Sequence, residues 1–136
     1  GAMFDDDLGL DSGAVYIYDI TDPANPSLAK KLLASDGNPT DDFGWSVALE
    51  GTTLLVGSRT DDDMHPGGGS AYLFDLTDPA NPAELAKIVP SDTSANATFG
   101  WVAAFNAQAP ACDQNGDGSC SPADFSAWVA NYNAGC

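Results

Sequence analysis

The sequence is poor in basic residues, and this scarcity limits what the protein can bind. Its 136 residues include 4 lysines and arginines against 20 aspartates and glutamates, for a formal charge of −16. Nucleic acids and anionic membranes attract proteins through lysine and arginine, so we expect neither as a partner. No run approaches the roughly 18 apolar residues of a membrane span, and no signal peptide is visible. Gly1-Ala2-Met3 resembles a cloning scar, which predicts further native chain upstream.

The groups that usually perform catalysis are also scarce. The single histidine, His65, lies in a loop rich in glycine and proline, and no Ser/His/Asp or Cys/His arrangement is visible. The glycines at 67–69 lack the lysine and the strand-to-helix context of a phosphate-binding loop. We therefore expect a protein that is not an enzyme.

The three cysteines, Cys112, Cys120 and Cys136, all lie near the C-terminus. An odd number allows at most one disulfide within the chain, and the sequence leaves its pairing open. The spacing does not fit a zinc site, because no histidine lies nearby. Cysteines in such a small acidic chain favour an oxidising compartment, so we expect a secreted or cell-surface protein.

The segment after Cys112 has the oxygen spacing of a calcium-binding loop. Oxygen ligands fall at loop positions 1, 3, 5, 7, 9 and 12, and Gly118 at position 6 allows the sharp turn. Ca²⁺ takes six to eight oxygen ligands, so the spacing predicts one calcium site, with a solvated Asp/Asn/Gly-rich turn as the alternative. The predicted ligands are Asp113, Asn115, Asp117, the carbonyl of Ser119, Ser121 and Asp124.

The same segment predicts a short helix over 122–132. Ser121 is a candidate N-cap, Pro122 suits the first helical position, and Asp124 completes a capping box. Since Asp124 serves both the loop and the helix, we expect metal binding and helix formation to be coupled. Apolar residues then recur on one helix face at Phe125, Trp128, Val129 and Tyr132.

Eleven residues beginning at Tyr16 return, with conservative changes, beginning at Tyr72, 56 positions later. The Asp triplets at 5–7 and 61–63, and the Phe-Gly-Trp motifs at 43–45 and 99–101, follow the same offset. Two copies in one register indicate one supersecondary unit used twice.

Alternating and apolar runs predict four short strands in the second unit, the content of one propeller blade. Residues 41–92 supply a complete blade, whereas residues 12–35 supply the last two strands of a preceding one. The expected fold is therefore mainly β, with incomplete β-propeller blades followed by a small EF-hand-like loop-helix unit. Because a propeller closes with about four to eight blades, the chain is expected to be a fragment of a larger chain or a homo-oligomer. The predicted strands cover about 45–49, 53–57, 71–76 and 84–89.

The motifs at 43–49, 54–58, 61–63 and 69–74 resemble an FG-GAP repeat, and the resemblance extends over residues 4–101. It implies the blade of a β-propeller, as in integrin alpha subunits. Calcium-binding members of that family carry an acidic loop between the first two strands, which is short here at 49–52. The Asp triplets are expected to be solvated loops, with a weak cation site as the alternative.

A second, shorter repeat relates residues 101–107 to 128–134 at an offset of 27. Residues 99–106 therefore fit either the first strand of a third blade or a helix partnering 122–132, and their alanines favour the helix. Tandem loop-helix units resemble dockerin, the calcium-dependent module that docks onto cohesin, over about 94–136. The resemblance implies the same six ligands, but the preceding half offers none, so one ion is expected.

Three segments result: a cloning scar at 1–3, FG-GAP-like blades at 4–92, and a dockerin-like calcium-binding tail at 93–136. The predicted function is a non-catalytic extracellular interaction module whose partner is a protein, either cohesin-like or other copies of the chain. The alternatives are a structural self-assembling protein and an accessory fragment of a larger secreted hydrolase.

Overall fold

The computed structural model describes residues 1–91 together with Asn96 and Phe99. Its regular elements in this part are six strands, arranged in two antiparallel sheets. The predicted tail at 93–136 lies outside the described residues except for those two positions. In the described part, no helix has the length and apolar character needed to cross a bilayer. The strands are β1 (Val15–Asp19), β2 (Ser27–Leu32), β3 (Phe43–Glu50), β4 (Thr53–Ser58), β5 (Ser70–Asp75) and β6 (Ala83–Ile88).

Strands β3 to β6 form a four-stranded meander, which we call the second sheet. The pair Glu50↔Thr53 closes the β3–β4 hairpin, and Gly51 in the turn has a φ of 54°, which suits glycine. The consecutive apolar residues of β4 are buried on both sides of the sheet, as expected for a strand inside a packed layer. The four strands predicted for the complete blade are thereby confirmed, with bounds shifted by at most two residues.

Strands β1 and β2 form the first sheet, and its pairing repeats that of β5 and β6. Tyr16 lies opposite Lys31 in the first sheet, and Tyr72 lies opposite Lys87 in the second. Each ladder also shifts its register one residue further along, between Ile17 and Tyr18 and between Leu73 and Phe74. The repeat in the sequence is therefore a repeat in the structure.

The two sheets pack against each other through one apolar cluster. Val15 and Leu32 of the first sheet join Leu54, Val56 and other residues of the second. Aromatic rings form its centre: Phe43 meets Tyr72 edge-on at 5.1 Å and Phe74 at 6.2 Å between ring centroids. Such edge-on pairs stabilise a core by roughly 1 kcal/mol beyond the area they bury. A second cluster, on the opposite face of the second sheet, contains Ala48, Leu55, Ala71 and Phe99.

Two glycines join the units at equivalent places. Gly13 forms a parallel bridge with Phe43, and Gly69 forms one with Phe99. Their φ angles are 85° and 79°, and a Cβ on either would approach the phenylalanine carbonyl oxygen within about 2 Å. Only glycine fits there. Phe99 thus occupies in the chain the place of Phe43, while residues 100–106, for which strand and helix were both considered, lie outside the described residues.

Candidate functional site

The predicted calcium ligands all lie outside the described residues. The calcium site, the helix at 122–132 and the cysteine pairing therefore remain predictions. Within residues 1–91, 96 and 99, no group of three or more His, Cys, Asp or Glu side chains could hold a metal ion. The charged clusters that the structure does describe are ion pairs within the fold.

The Asp triplet of the second copy surrounds a lysine. The Lys87 ammonium contacts Asp61 and Asp36 at 2.8 Å each, and it also contacts Asp63. The Asp61 side chain is 2% exposed, so the expectation of a solvated loop is wrong for this residue. It was wrong because the loop folds over the sheet, where its carboxylate accepts hydrogen bonds from the hydroxyls of Ser70 and Tyr72 at 2.7 and 3.0 Å. The Lys87 ammonium therefore neutralises carboxylate charge in this cluster, as a bound cation would do in a metal site.

Burial and hydrogen bonding act in opposite directions on this cluster. Burial by itself would raise the pKa of Asp61, but hydrogen bonds from Lys87 and Ser70 overcome it and hold that pKa below its usual value. Burial would likewise lower the pKa of Lys87, and its carboxylate partners raise that pKa instead. For the Tyr72 hydroxyl, burial raises the pKa. All three groups therefore keep their ordinary charge states at neutral pH, and the cluster has a structural role.

The first copy contains the same arrangement with one partner fewer. Lys31 contacts Asp5 at 2.7 Å and Asp7 at 2.6 Å, and the Tyr16 hydroxyl donates to Asp5 at 2.9 Å. The third partner of Lys87 is Asp36, which follows β2 and so comes from the preceding unit. Among the described residues no preceding unit covers Lys31. Its hydrogen bonds to Asp5 and Asp7 still raise its pKa.

Asp41 is a buried carboxylate without an ammonium partner. It is 3% exposed, and its Oδ2 accepts the backbone N–H of Asn38 at 2.7 Å. Burial raises its pKa to about 6, and the charge of nearby Asp61 adds to that shift. This carboxylate therefore titrates just below neutral pH.

A shallow groove of about 540 Å³ lies beside the start of β3. The Arg59 guanidinium stacks on the Trp45 ring at 3.7 Å from its centroid and pairs with Asp42 at 3.0 Å. His65 is exposed, as expected from its loop. In this groove the Thr60 hydroxyl donates to the Thr40 carbonyl oxygen at 2.6 Å.

The clearest asymmetry is in the faces of the two sheets. Tyr72, Phe74 and Leu76 of the second copy are 0%, 3% and 9% exposed, because the first sheet covers them. Their counterparts Tyr16, Tyr18 and Ile20 are 38%, 52% and 66% exposed. We call the surface formed by these three residues the outer face.

Sequence reasoning predicted the aromatic strands but not the lysine clusters or the outer face. The signal for the clusters was present, since Lys31 and Lys87 are two of only four basic residues and obey the 56-residue offset.

Comparison with known proteins agrees with this geometry in one respect. Residues 27–74 match the model of the FG-GAP repeat, a span that runs from β2 through β5. No curated protein and no solved structure matched the chain. The match supports the FG-GAP part of the resemblance and with it a propeller-type repeat, and it does not extend to the dockerin-like tail.

Proposed function

We propose that this chain is a non-catalytic, extracellular interaction module, built from FG-GAP-type repeats and anchored by a calcium-binding tail. The observation that carries the proposal is the outer face. It presents two tyrosines and an isoleucine to solvent at positions whose counterparts form a packed interface one unit later. Tyrosine is enriched in protein interfaces, because it offers a large apolar body and a polar tip.

Binding at the outer face follows the pattern of the interface already present inside the chain. There, the side of β1 and β2 that carries Val15 and Leu32 covers Tyr72 and Phe74. A partner surface of small branched apolar residues is complementary to the outer face for the same reason. Apolar surface removed from water contributes roughly 25 cal/mol per Å², so burying this face against a partner would favour binding.

The tail adds a calcium-dependent element to the proposal. Ca²⁺ would be held by the oxygens of Asp113, Asn115, Asp117, Ser119, Ser121 and Asp124. A divalent ion neutralises the repulsion among three carboxylates and organises the loop, and Asp124 then also supports the start of the helix. The Phe125/Trp128 side of that helix would pack on a protein partner, as in the cohesin-dockerin type of complex. A calcium-binding loop and the three cysteines both fit a secreted protein.

A second candidate is self-assembly, in which copies of the chain complete each other's sheets. The two-stranded first sheet, half the width of the second, favours it. The charge of −16 on each copy opposes it, since like charges repel. Static light scattering separates the two candidates: an interaction module remains a monomer, and an assembly has a multiple of the 14.0 kDa chain mass.

The outer face is tested with an apolar fluorescent dye such as ANS, which binds exposed apolar surface. The double variant Tyr18→Lys, Ile20→Lys is expected to reduce dye fluorescence relative to the parent chain. The matched control is Leu85→Lys, an equally exposed leucine on β6. Equal dye fluorescence in the double variant and the control would refute an apolar binding role for the outer face.

The tail is tested by isothermal titration with Ca²⁺. We expect one ion per chain, loss of binding in Asp117→Ala, and unchanged binding in Asp62→Ala, which alters an acidic loop of the sheet region. Chelation should reduce the far-ultraviolet helix signal and leave the strand signal intact. No uptake of calcium by the parent chain would remove the tail from the proposal.

A further inference from the structure

Residues 40–42 lie between β2 and β3 and connect the two sheets. On the side of the first unit, the Thr40 N–H donates to the carbonyl oxygen of Leu10 at 2.8 Å. The Asp42 N–H donates to that of Asp11 at 3.1 Å. Both acceptors belong to the loop that precedes β1, so these bonds tie the connection to the first unit. We call residues 40–42 the joint segment.

The second unit holds the joint segment mainly through the backbone of Asp41. The Asp41 carbonyl oxygen accepts a buried hydrogen bond from the Ser58 hydroxyl at 2.7 Å and another from the Thr60 N–H at 3.3 Å. The Thr60 hydroxyl also donates to the Thr40 carbonyl oxygen at 2.6 Å. Opening of the joint segment breaks bonds to both units, so its stability determines how firmly the two sheets are connected.

The backbone of the joint segment is held in an unfavourable conformation on both sides of Asp41. Thr40 has a φ of 71° and Asp42 has a φ of 56°, in the left-handed region that residues other than glycine adopt at a cost. The branched side chain of Thr40 makes this conformation especially unfavourable. The bonds to the two units offset this cost, and a further penalty at the same place favours opening.

The side chain of Asp41 supplies such a penalty when it is ionised. The residue is 3% exposed, and its Oδ2 accepts the Asn38 N–H at 2.7 Å. Removing an ionised carboxylate from water is costly unless its charge is compensated. The neutral carboxyl carries a much smaller cost, so the charge state of Asp41 affects the stability of the closed joint.

The charged groups that face Asp41 do not compensate its charge. Asp61 and Asp62, in the loop after β4, repel it, and Lys87 of β6 attracts it. The Lys87 ammonium, however, already contacts the three carboxylates of its own cluster. Arg59 pairs with the neighbouring carboxylate of the joint segment at 3.0 Å. Burial, with the charge of Asp61 adding to it, raises the pKa of Asp41 to about 6.

We propose that the joint segment is an acid-stabilised joint, in which Asp41 takes up a proton in mildly acidic solution and thereby strengthens the connection between the two sheets. At higher pH the proton is released, and the joint opens more often because the carboxylate is then solvated. The position 56 residues later is Ala97, so this control belongs to the junction between the two described sheets. The inference goes beyond the proposed binding function and depends on neither the outer face nor the calcium-binding tail.

Amide hydrogen exchange of the full chain, followed by NMR at pH 5 and pH 7.5, tests the joint. Protection factors, which are corrected for the intrinsic pH dependence of exchange, report local opening. We expect them to fall about tenfold at Thr40 and Thr60 from the lower to the higher pH, because the closed state binds the Asp41 proton more tightly than the open state. Leu76, whose N–H donates to the Thr52 carbonyl oxygen at the opposite end of the second sheet, should keep its protection.

Two variants assign the effect to Asp41. Asp41→Asn removes the charge and keeps an oxygen for the Asn38 N–H, so it should show the protection of the acid form at both pH values. Asp62→Asn neutralises an exposed neighbour, is the matched control and should keep the tenfold change. Equal behaviour of the two variants would overturn the proposal, and so would an equal fall in protection at Leu76 in the parent chain.

A titration of the Asp41 carboxyl carbon by NMR decides the proposal in the parent chain, even where Asp41→Asn does not fold. The expected midpoint is near pH 6. A midpoint at or below about pH 4, the range of an ordinary aspartate, would overturn the proposal. Protection at Thr40 and Thr60 that is the same at pH 5 and pH 7.5 would overturn it as well.

Discussion

The two copies of the repeat show how one sequence pattern acquires two roles. Tyr72 of the second copy is sealed beneath the first sheet, whereas its counterpart Tyr16 is accessible to solvent. The strands, their pairing and their register shift are the same in both. Burial is therefore determined by the neighbouring unit and not by the strand itself. A face that is core in one copy is exposed to solvent in the other, within the described residues.

The two lysine clusters also differ between the copies because of the neighbouring unit. Lys87 has a carboxylate partner, Asp36, from the preceding unit, and Lys31 has carboxylates from its own unit among the described residues. Within the sheet region, the Asp36 contact makes the Lys87 cluster part of the interface between units. The Lys31 cluster belongs to an uncovered surface, so its loss should matter less.

The largest expected difference between the copies is for their tyrosines. Tyr72→Ala removes a buried ring that packs on Phe43 and should lower the free energy of unfolding by about 4 kcal/mol. Tyr16→Ala, the matched control, should cost less than about 1 kcal/mol, because the side chain is partly exposed. Chemical denaturation of both variants measures the two values. Equal losses would mean that the two faces do not differ in burial.

The lysines should differ in the same direction. Lys87→Met leaves the buried Asp61 carboxylate without its ammonium, and breaking such a pair costs about 3 kcal/mol. Lys31→Met should have a clearly smaller effect, since its carboxylate partners remain in contact with water. Thermal unfolding at neutral pH compares them. A larger loss for Lys31→Met would contradict the assignment of the Lys87 cluster to the interface between units.

Asp41 has no acidic counterpart one repeat later, because the position 56 residues further along the sequence is Ala97. Its folded pKa of about 6 exceeds the unfolded value of 3.8, so its buried charge destabilises the fold progressively above about pH 4, and the destabilisation is complete above about pH 6. Asp41→Asn should therefore stabilise the chain by about 2 kcal/mol at pH 7. The gain should vanish below about pH 4, where the carboxyl is protonated in both states. Denaturation across this range tests it, and a gain that persists at acid pH would exclude a charge effect.

The smallest expected loss of stability comes from the threonines of the exposed turns, and it should be equal in the two copies. The hydroxyls of Thr21 and Thr77 donate to Asp19 and Asp75 at 2.6 and 2.7 Å, in turns that are exposed in both units. Thr21→Val and Thr77→Val should therefore cause small losses of stability that agree within error. Unequal midpoints of thermal unfolding would show that the copies differ locally and not only in what covers them.

The strands could be predicted because their information is local. Alternation and turn residues gave all four strands of the second unit, and the 56-residue offset gave the two of the first. The lysine clusters could not be found in this way, because Asp36 and Lys87 are 51 positions apart and meet only when the sheets pack. The burial of Asp61 was missed for the same reason: an Asp triplet in a loop has the local pattern of a solvated turn.

The outer face needed the structure for a different reason. Whether Tyr18 is core or surface depends on a neighbour that the strand pattern does not encode. The pair Ala2↔Ala14 continues the 56-residue repeat, because its counterpart in the second unit is Ser58↔Ser70. The calcium-binding loop was predicted from local spacing alone, so its test is the titration with calcium.

The central claim is that the same repeated face is exposed in the first copy and buried in the second. Nitration of the native chain, followed by mass spectrometry of its peptides, measures this at the tyrosine rings themselves. Tyr16 and Tyr18 should be modified rapidly, and Tyr72 should react only after unfolding. Protection of Tyr16 and Tyr18 in the isolated monomeric chain, or rapid modification of Tyr72, would contradict the claim.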